Sequence, residues 1–142
     1  MKKRVLIVLA AIISLIICSS FSANSYAGLK ITITQFVQDD SIGGVVQGLS
    51  ASEVKLFKII VYVKTNKLYI HPFETGGERE TYSSIDSSGN WWVRSEHRKP
   101  APSKIFAFMV KKEYKAPLNV QSIREIAYKA YDSIKYSEDA VK

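Results

Sequence analysis

Between Val54 and Phe73 the chain reads VKLFKIIVYVKTNKLYIHPF, and its apolar residues occupy both faces of an extended chain. Phe57, Ile59, Val61 and Val63 fall on one side of an extended chain, and Leu56, Ile60 and Tyr62 on the other. Successive side chains of a strand point to opposite faces, so apolar residues on both sides imply cover on both faces or a partly used outer face. The run Val54 to Val63 is rich in β-branched and aromatic types and lacks Gly and Pro, which predicts a central strand rather than a helix. Thr65-Asn66 allows a turn. Lys67 to His71 continues as a second strand and stops at Pro72, which has no N–H for a ladder.

The same pattern extends in both directions. LKITITQFV, from Leu29, alternates β-branched and polar residues and predicts the first strand. Asp39-Asp40-Ser41 is a turn, and IGGVVQGL (Ile42 to Leu49) is a strand whose interior glycines point to a bulge or a close backbone approach. Ser50 to Glu53 links it to the central strand. Phe73 to Glu78, with Gly76-Gly77, and Arg98 to Ser103, with Pro100 and Pro102, are loops. Glu80 to Ile85 and Trp91 to Ser95 bracket Asp86-Ser87-Ser88-Gly89-Asn90, which has hairpin chemistry. IFAFMV (Ile105 to Val110) is a second strand apolar on both faces and a natural neighbour of the central one. Tyr114 to Leu118, with Pro117, closes the β region. The period then changes. Ile123, Ile126, Ala127, Ala130, Tyr131 and Ile134 share one face of a helix, and Ser122 with Glu125 forms a capping box. Asp132 to Glu138 is a candidate last strand. About seven short strands separated by turn signals predict an antiparallel β-sandwich with one short helix near residues 122–131.

Residues 1–27 break the pattern. MKKR precedes a 13-residue apolar run, VLIVLAAIISLII, and the small-residue site Ser25-Tyr26-Ala27 lies beyond it. This is the layout of an export signal cleaved before Gly28, and the apolar run is short of the roughly 20 residues that span a bilayer. Retention as an uncleaved anchor and lipid attachment at Cys18 are the alternatives, the latter disfavoured because Ile17 is large where a lipoprotein site wants a small residue. Residues 28–142 then form a single domain, periplasmic or extracellular. The formal charge of +7 includes Lys2, Lys3 and Arg4; without them 17 basic residues stand against 13 acidic ones, or +4. That balance lacks the dense basic stripe of a nucleic-acid binder. Cys18, the one cysteine, lies in the leader, so residues 28–142 hold no thiol and no disulfide.

The series GVVQGLS, KIIVYVKTNKLYIHPF, SSIDSSGNWWV and KIFAFMVKKEYKAP resembles a bacterial exported β-sandwich module, found alone or as an accessory domain appended to extracellular carbohydrate-active enzymes. The matching positions are Val46 and Gly48, Lys58 to Val63, Tyr69 and Pro72, Ile85, Gly89 and Trp91, Ile105 to Val110, and Tyr114 to Pro117. They span about residues 45–117, with a weaker echo in Ala130 to Tyr136. Leu68 stands where that pattern prefers Trp, and Ser88 where it prefers Asp. The resemblance implies an all-β fold, immunoglobulin-like or carbohydrate-binding-module-like, and no catalytic residues. Fold alone does not specify function.

Candidate chemistry is sparse. There is no G-x-S-x-G, no HExxH and no phosphate-cradling glycine loop. His71 and His97 are expected to be exposed or at strand edges rather than to share a metal, and Asp86 to Asn90 is a turn rather than a calcium loop. No pair of carboxylates stands out for glycoside hydrolysis. The expectation is therefore a non-catalytic protein without metal or cofactor. What remains is an aromatic surface. Trp91 aligns with Val93 toward a core, leaving Trp92 and Arg94 on the opposite face, with Tyr69 and Tyr82 beside them if their strands are neighbours. Flat rings with a polar edge suit sugar faces, whereas cross-strand aromatic pairs contribute about 0.2–1 kcal/mol to a sheet. The basic residues of the second half, interleaved with Glu96 and Glu113, are a solvated face, and no stable membrane insertion is expected once the signal is cleaved. The leading expectation is an exported binding module for polysaccharide or another envelope component. The alternative is a structural or protein-interaction accessory of the envelope, with an envelope protein as partner.

Overall fold

The computed structural model describes residues 28–37, 40–72, 81–95, 102–130 and 136–140. The proposed export leader and His97 lie outside them. Strands β1 (Lys30–Val37), β2 (Ser41–Gln47) and β6 (Asn90–Arg94) form a small sheet in the order β1-β2-β6. The larger sheet runs β8 (Asn119–Val120), β4 (Leu68–His71), β3 (Phe57–Lys64), β7 (Lys104–Lys111), β9 (Tyr136–Ala140), and β5 (Ser83–Ser84) also pairs with β3. All these pairings are antiparallel. One helix, α1 (Ile123–Ala130), comes after β8. Among the described residues no helix is long and apolar enough to cross a membrane.

The central strands are covered on both faces, the first of the two arrangements their pattern allows. Ile59, Val61 and Val63 of β3, with Ile105, Ala107 and Met109 of β7, pack against Ile31, Ile42, Val46, Trp91 and Val93 of the small sheet. The opposite face carries Ile60, Tyr62, Ile70, Phe106, Phe108 and Val110, closed by Val120 and by Ile126 of α1. Each such aliphatic or aromatic side chain contributes about 1.5–3 kcal/mol when taken fully out of water.

Several elements differ from the pattern, among them β8 at Asn119–Val120, beyond the expected close of the β region at Leu118. β3 starts at Phe57, because Glu53–Leu56 forms a 3-10 turn. The Glu53 carboxylate accepts hydrogen bonds from the Ser50 N–H (2.8 Å) and hydroxyl (2.6 Å), which winds the chain before it can extend. In α1 the capping box forms, with Glu125 Oε1 accepting the Ser122 N–H at 2.9 Å. Ile126 is buried and Ile123 partly so, but Ala127 is exposed, so the buried stripe is narrower than the spacing predicts. The last strand is described over Tyr136–Ala140 and so runs past Glu138, while residues 132–135 of the expected span lie outside the described residues.

The expected hairpin about Asp86 is instead a crossing between sheets. β5 pairs with β3 through Lys58 and Ile59, whereas β6 pairs with β2. The turn itself is as its residues predict. Asp86 Oδ1 accepts the N–H groups of Ser88 and Asn90 at 2.8 Å, and Gly89 takes a positive φ of 85°. A Cβ on Gly89 would lie 2.3 Å from the Val46 carbonyl oxygen, so the turn seats directly on β2. Ile85 is buried at the crossing, and the Trp92 N–H donates to Ser83 Oγ at 2.9 Å, tying β6 to the short strand it left.

Candidate binding face

Alternation along β2 and β6 decides what the small sheet shows to solvent. Ile42, Gly44 and Val46 point inward, and so do Trp91 and Val93. Gly44 faces Trp91 across the ladder, where a Cβ would lie 1.8 Å from the Thr32 carbonyl oxygen and 2.8 Å from the Trp91 ring. Only glycine leaves room there for the indole. Ser41, Gly43 and Val45 fall on the other face, with Asn90, Trp92 and Arg94 of β6 beside them.

On this outer face Gly43 stands between two larger side chains. Its ladder partners are Gln35 on β1 and Trp92 on β6. Gln35 reaches this row because a bulge between Ile33 and Gln35 inserts Thr34 into β1. Trp92 is 68% exposed, the most exposed large hydrophobic residue among those described. Its ring and the bare floor at Gly43 border a groove of about 470 Å³, lined also by Thr34, Gln35, Asp40, Ser41 and Asn90. That volume lies within the range of small-molecule sites, roughly 300–1,000 Å³. The polar wall is fixed by a relay. Gln35 Nε2 donates to Ser41 Oγ at 2.9 Å, and Ser41 Oγ donates to Asp40 Oδ2 at 3.0 Å. At the far side Asn90 Nδ2 donates to Asp86 Oδ2 at 3.0 Å. Hydrogen bonds from the Asn90 side chain and backbone hold the Asp86 carboxyl below the usual carboxylate range.

The four residues expected to share a platform separate into groups. Trp92 and Arg94 stand on the outer face together, Arg94 one row along, opposite Ser41 and outside the groove lining. Tyr69 belongs to β4 of the larger sheet, opposite Val63, and is half-buried. Tyr82 packs against the helix-side core and carries the Lys58 ammonium 4.7 Å above its ring. Burial pulls the Lys58 pKa down, and the Glu113 charge opposes that shift. Neither tyrosine is on a strand next to β6, because the chain crosses sheets at Asp86. His71, expected to be exposed or at an edge, ends β4 but is buried at 1%. Its place opposite Val61 in the ladder turns it toward the space beneath the small sheet. Among the described residues no three of His, Cys, Asp and Glu gather as a metal-holding group.

The groove's other members carried partial signals. Gly43-Gly44 in a strand marks a close approach, and alternation from Ile42 assigns Gly43 outward. Gln35 gave none, since its facing depends on the bulge. No family model, curated protein or solved structure matches this chain.

Proposed function

We propose that this chain is an exported, non-catalytic binding module of β-sandwich architecture, and that its ligand is a polysaccharide held across the outer face of the small sheet. The observation that carries the reading is Trp92, a large ring left in water beside a floor that has no side chain. Exposing an indole forgoes roughly the 1.5–3 kcal/mol that burying a large apolar side chain yields, which a ligand can recover. Flat aromatic surface bordered by amide and hydroxyl groups suits a pyranose, whose ring faces present C–H bonds and whose rim presents hydroxyls. The leader pattern of residues 1–27 supports export, and the packing of one sheet on the other across a shared apolar layer supports the sandwich description.

Affinity electrophoresis and pull-down on soluble and insoluble polysaccharides, with protein produced from the full-length chain, test this reading. Wild type is expected to bind at least one polysaccharide, and Trp92→Ala to lose that binding while keeping its circular dichroism spectrum. Binding unaffected by Trp92→Ala would refute the face. No binding across a broad panel would favour an envelope protein as the partner.

A further inference from the structure

The groove also has a chemical polarity, and it bears on which polysaccharide fits. The relay Gln35 to Ser41 to Asp40 uses donors: one Gln35 amide proton goes to Ser41, and the Ser41 proton goes to Asp40. Asn90 spends an amide proton on Asp86. Among the described lining side chains, Gln35 Oε1, Asn90 Oδ1 and Asp40 Oδ1 remain as acceptors, with one amide proton each on Gln35 and Asn90, the Thr34 hydroxyl and the Trp92 indole N–H as donors. Asp40 is the one charged side chain of the described lining, and it can only accept when ionised. Arg94, on the same face opposite Ser41, is outside the lining.

We infer, resting on the binding reading above, that the groove selects glycans by the protons they donate: it takes uncharged, hydroxyl-rich polysaccharides and rejects polyuronates. A sugar hydroxyl donates to the Asp40 carboxylate and forms a charge-assisted bond. A uronate carboxylate in the same position has no proton to give, meets a like charge and finds no cation among the described lining residues. Specificity of this kind comes from the group that repels as much as from those that attract. Asp40 is thus a specificity-determining residue, while Trp92 supplies the stacking surface common to any pyranose.

The test compares neutral polymers (a soluble β-glucan and a xylan) with alginate and polygalacturonate at matched ionic strength, by affinity electrophoresis and calorimetry on the full chain. Wild type is expected to bind a neutral polymer at least tenfold more tightly than either polyuronate. Asp40→Asn keeps the side chain's shape, removes the charge and adds a donor. It should weaken neutral binding several-fold and raise polyuronate binding, narrowing the ratio. A ratio that Asp40→Asn leaves unchanged would overturn the inference. So would polyuronate binding equal to or tighter than neutral binding and lost in Arg94→Ala, which would leave the binding reading standing. No polysaccharide bound at all would remove both.

Discussion

Gly43 and Gly44 are adjacent in sequence and opposite in role. A Cβ at Gly44 would meet backbone 1.8 Å away, at an oxygen that cannot swing aside, whereas one at Gly43 would lie 3.1 Å from the Trp91 carbonyl oxygen and otherwise point into the groove. Gly44→Ala is therefore expected to cost about 3 kcal/mol, the upper end of ordinary overpacking. Gly43→Ala should cost well under half as much and act mainly on ligand binding. Urea denaturation of both variants checks the contrast, and equal losses would contradict it. Trp92→Ala, at an exposed site, should stay within about 0.5 kcal/mol of wild type. At this scale the sequence was informative wherever the strand kept its period: Trp91 in and Trp92 out come from alternation alone. It was silent at Gln35, because one inserted residue, Thr34, resets the facing of the rest of β1.

Short motifs decide the elements, and their meaning depends on the residues after them. The spacing Ser-x-x-Glu occurs at Ser50 to Glu53 and at Ser122 to Glu125, and in both places the glutamate accepts the serine N–H. The second precedes a helical periodicity and opens α1. The first precedes a β-branched and aromatic run without helical spacing, so it makes a single 3-10 turn and then yields to β3. The Asp86 turn was legible in its residues but not in its destination, since the ladder partner of Trp92 is Gly43, far back in the chain. Because that turn delivers β6 to β2, Gly89→Ala should do two things. It forces a side chain into a positive φ and toward the Val46 carbonyl, costing roughly 1–3 kcal/mol. It should also loosen the groove, so that ligand affinity falls even under conditions where the variant remains folded. Loss of stability with affinity intact would separate the turn from the face.

Over the whole molecule, apolar residues on both faces of β3 and β7 left open cover on two sides or a partly used outer face, and the structure supplies the small sheet on one side and α1 with β8 on the other. The helix side holds a titratable group. Tyr62 is buried, donates to the Pro117 carbonyl oxygen, and meets Phe108 edge to face at 6.2 Å. Burial, then the nearby Tyr114 and Glu125 charges, raise its pKa well above the ordinary tyrosine value. Burial raises Tyr114 as well. In the unfolded chain these phenols lose protons near pH 10 while the folded state retains them, so the unfolded state binds fewer protons and stability falls with pH. Full stability from this source is expected below about pH 10, with a decline as pH rises from there through the folded-state values. Tyr62→Phe gives up a hydrogen bond, about 0.5–1.5 kcal/mol at neutral pH. Its thermal midpoint should nonetheless decline less steeply between pH 9.5 and 11.5, roughly the interval around the tyrosine reference value. A slope identical to wild type would refute the assignment.

The two tryptophans of this chain are neighbours in sequence, yet one is 2% and the other 68% exposed. They divide the protein's ultraviolet emission into two channels. Trp91, buried in the interior, is expected to emit at short wavelength, shielded from dissolved quenchers, and to shift to the red when the sheets part. Trp92 emits from water at longer wavelength and is open to acrylamide, so an occupant of the groove should protect it and shift its band to the blue. A single emission scan with a quencher titration thus reports integrity and occupancy separately, without a label.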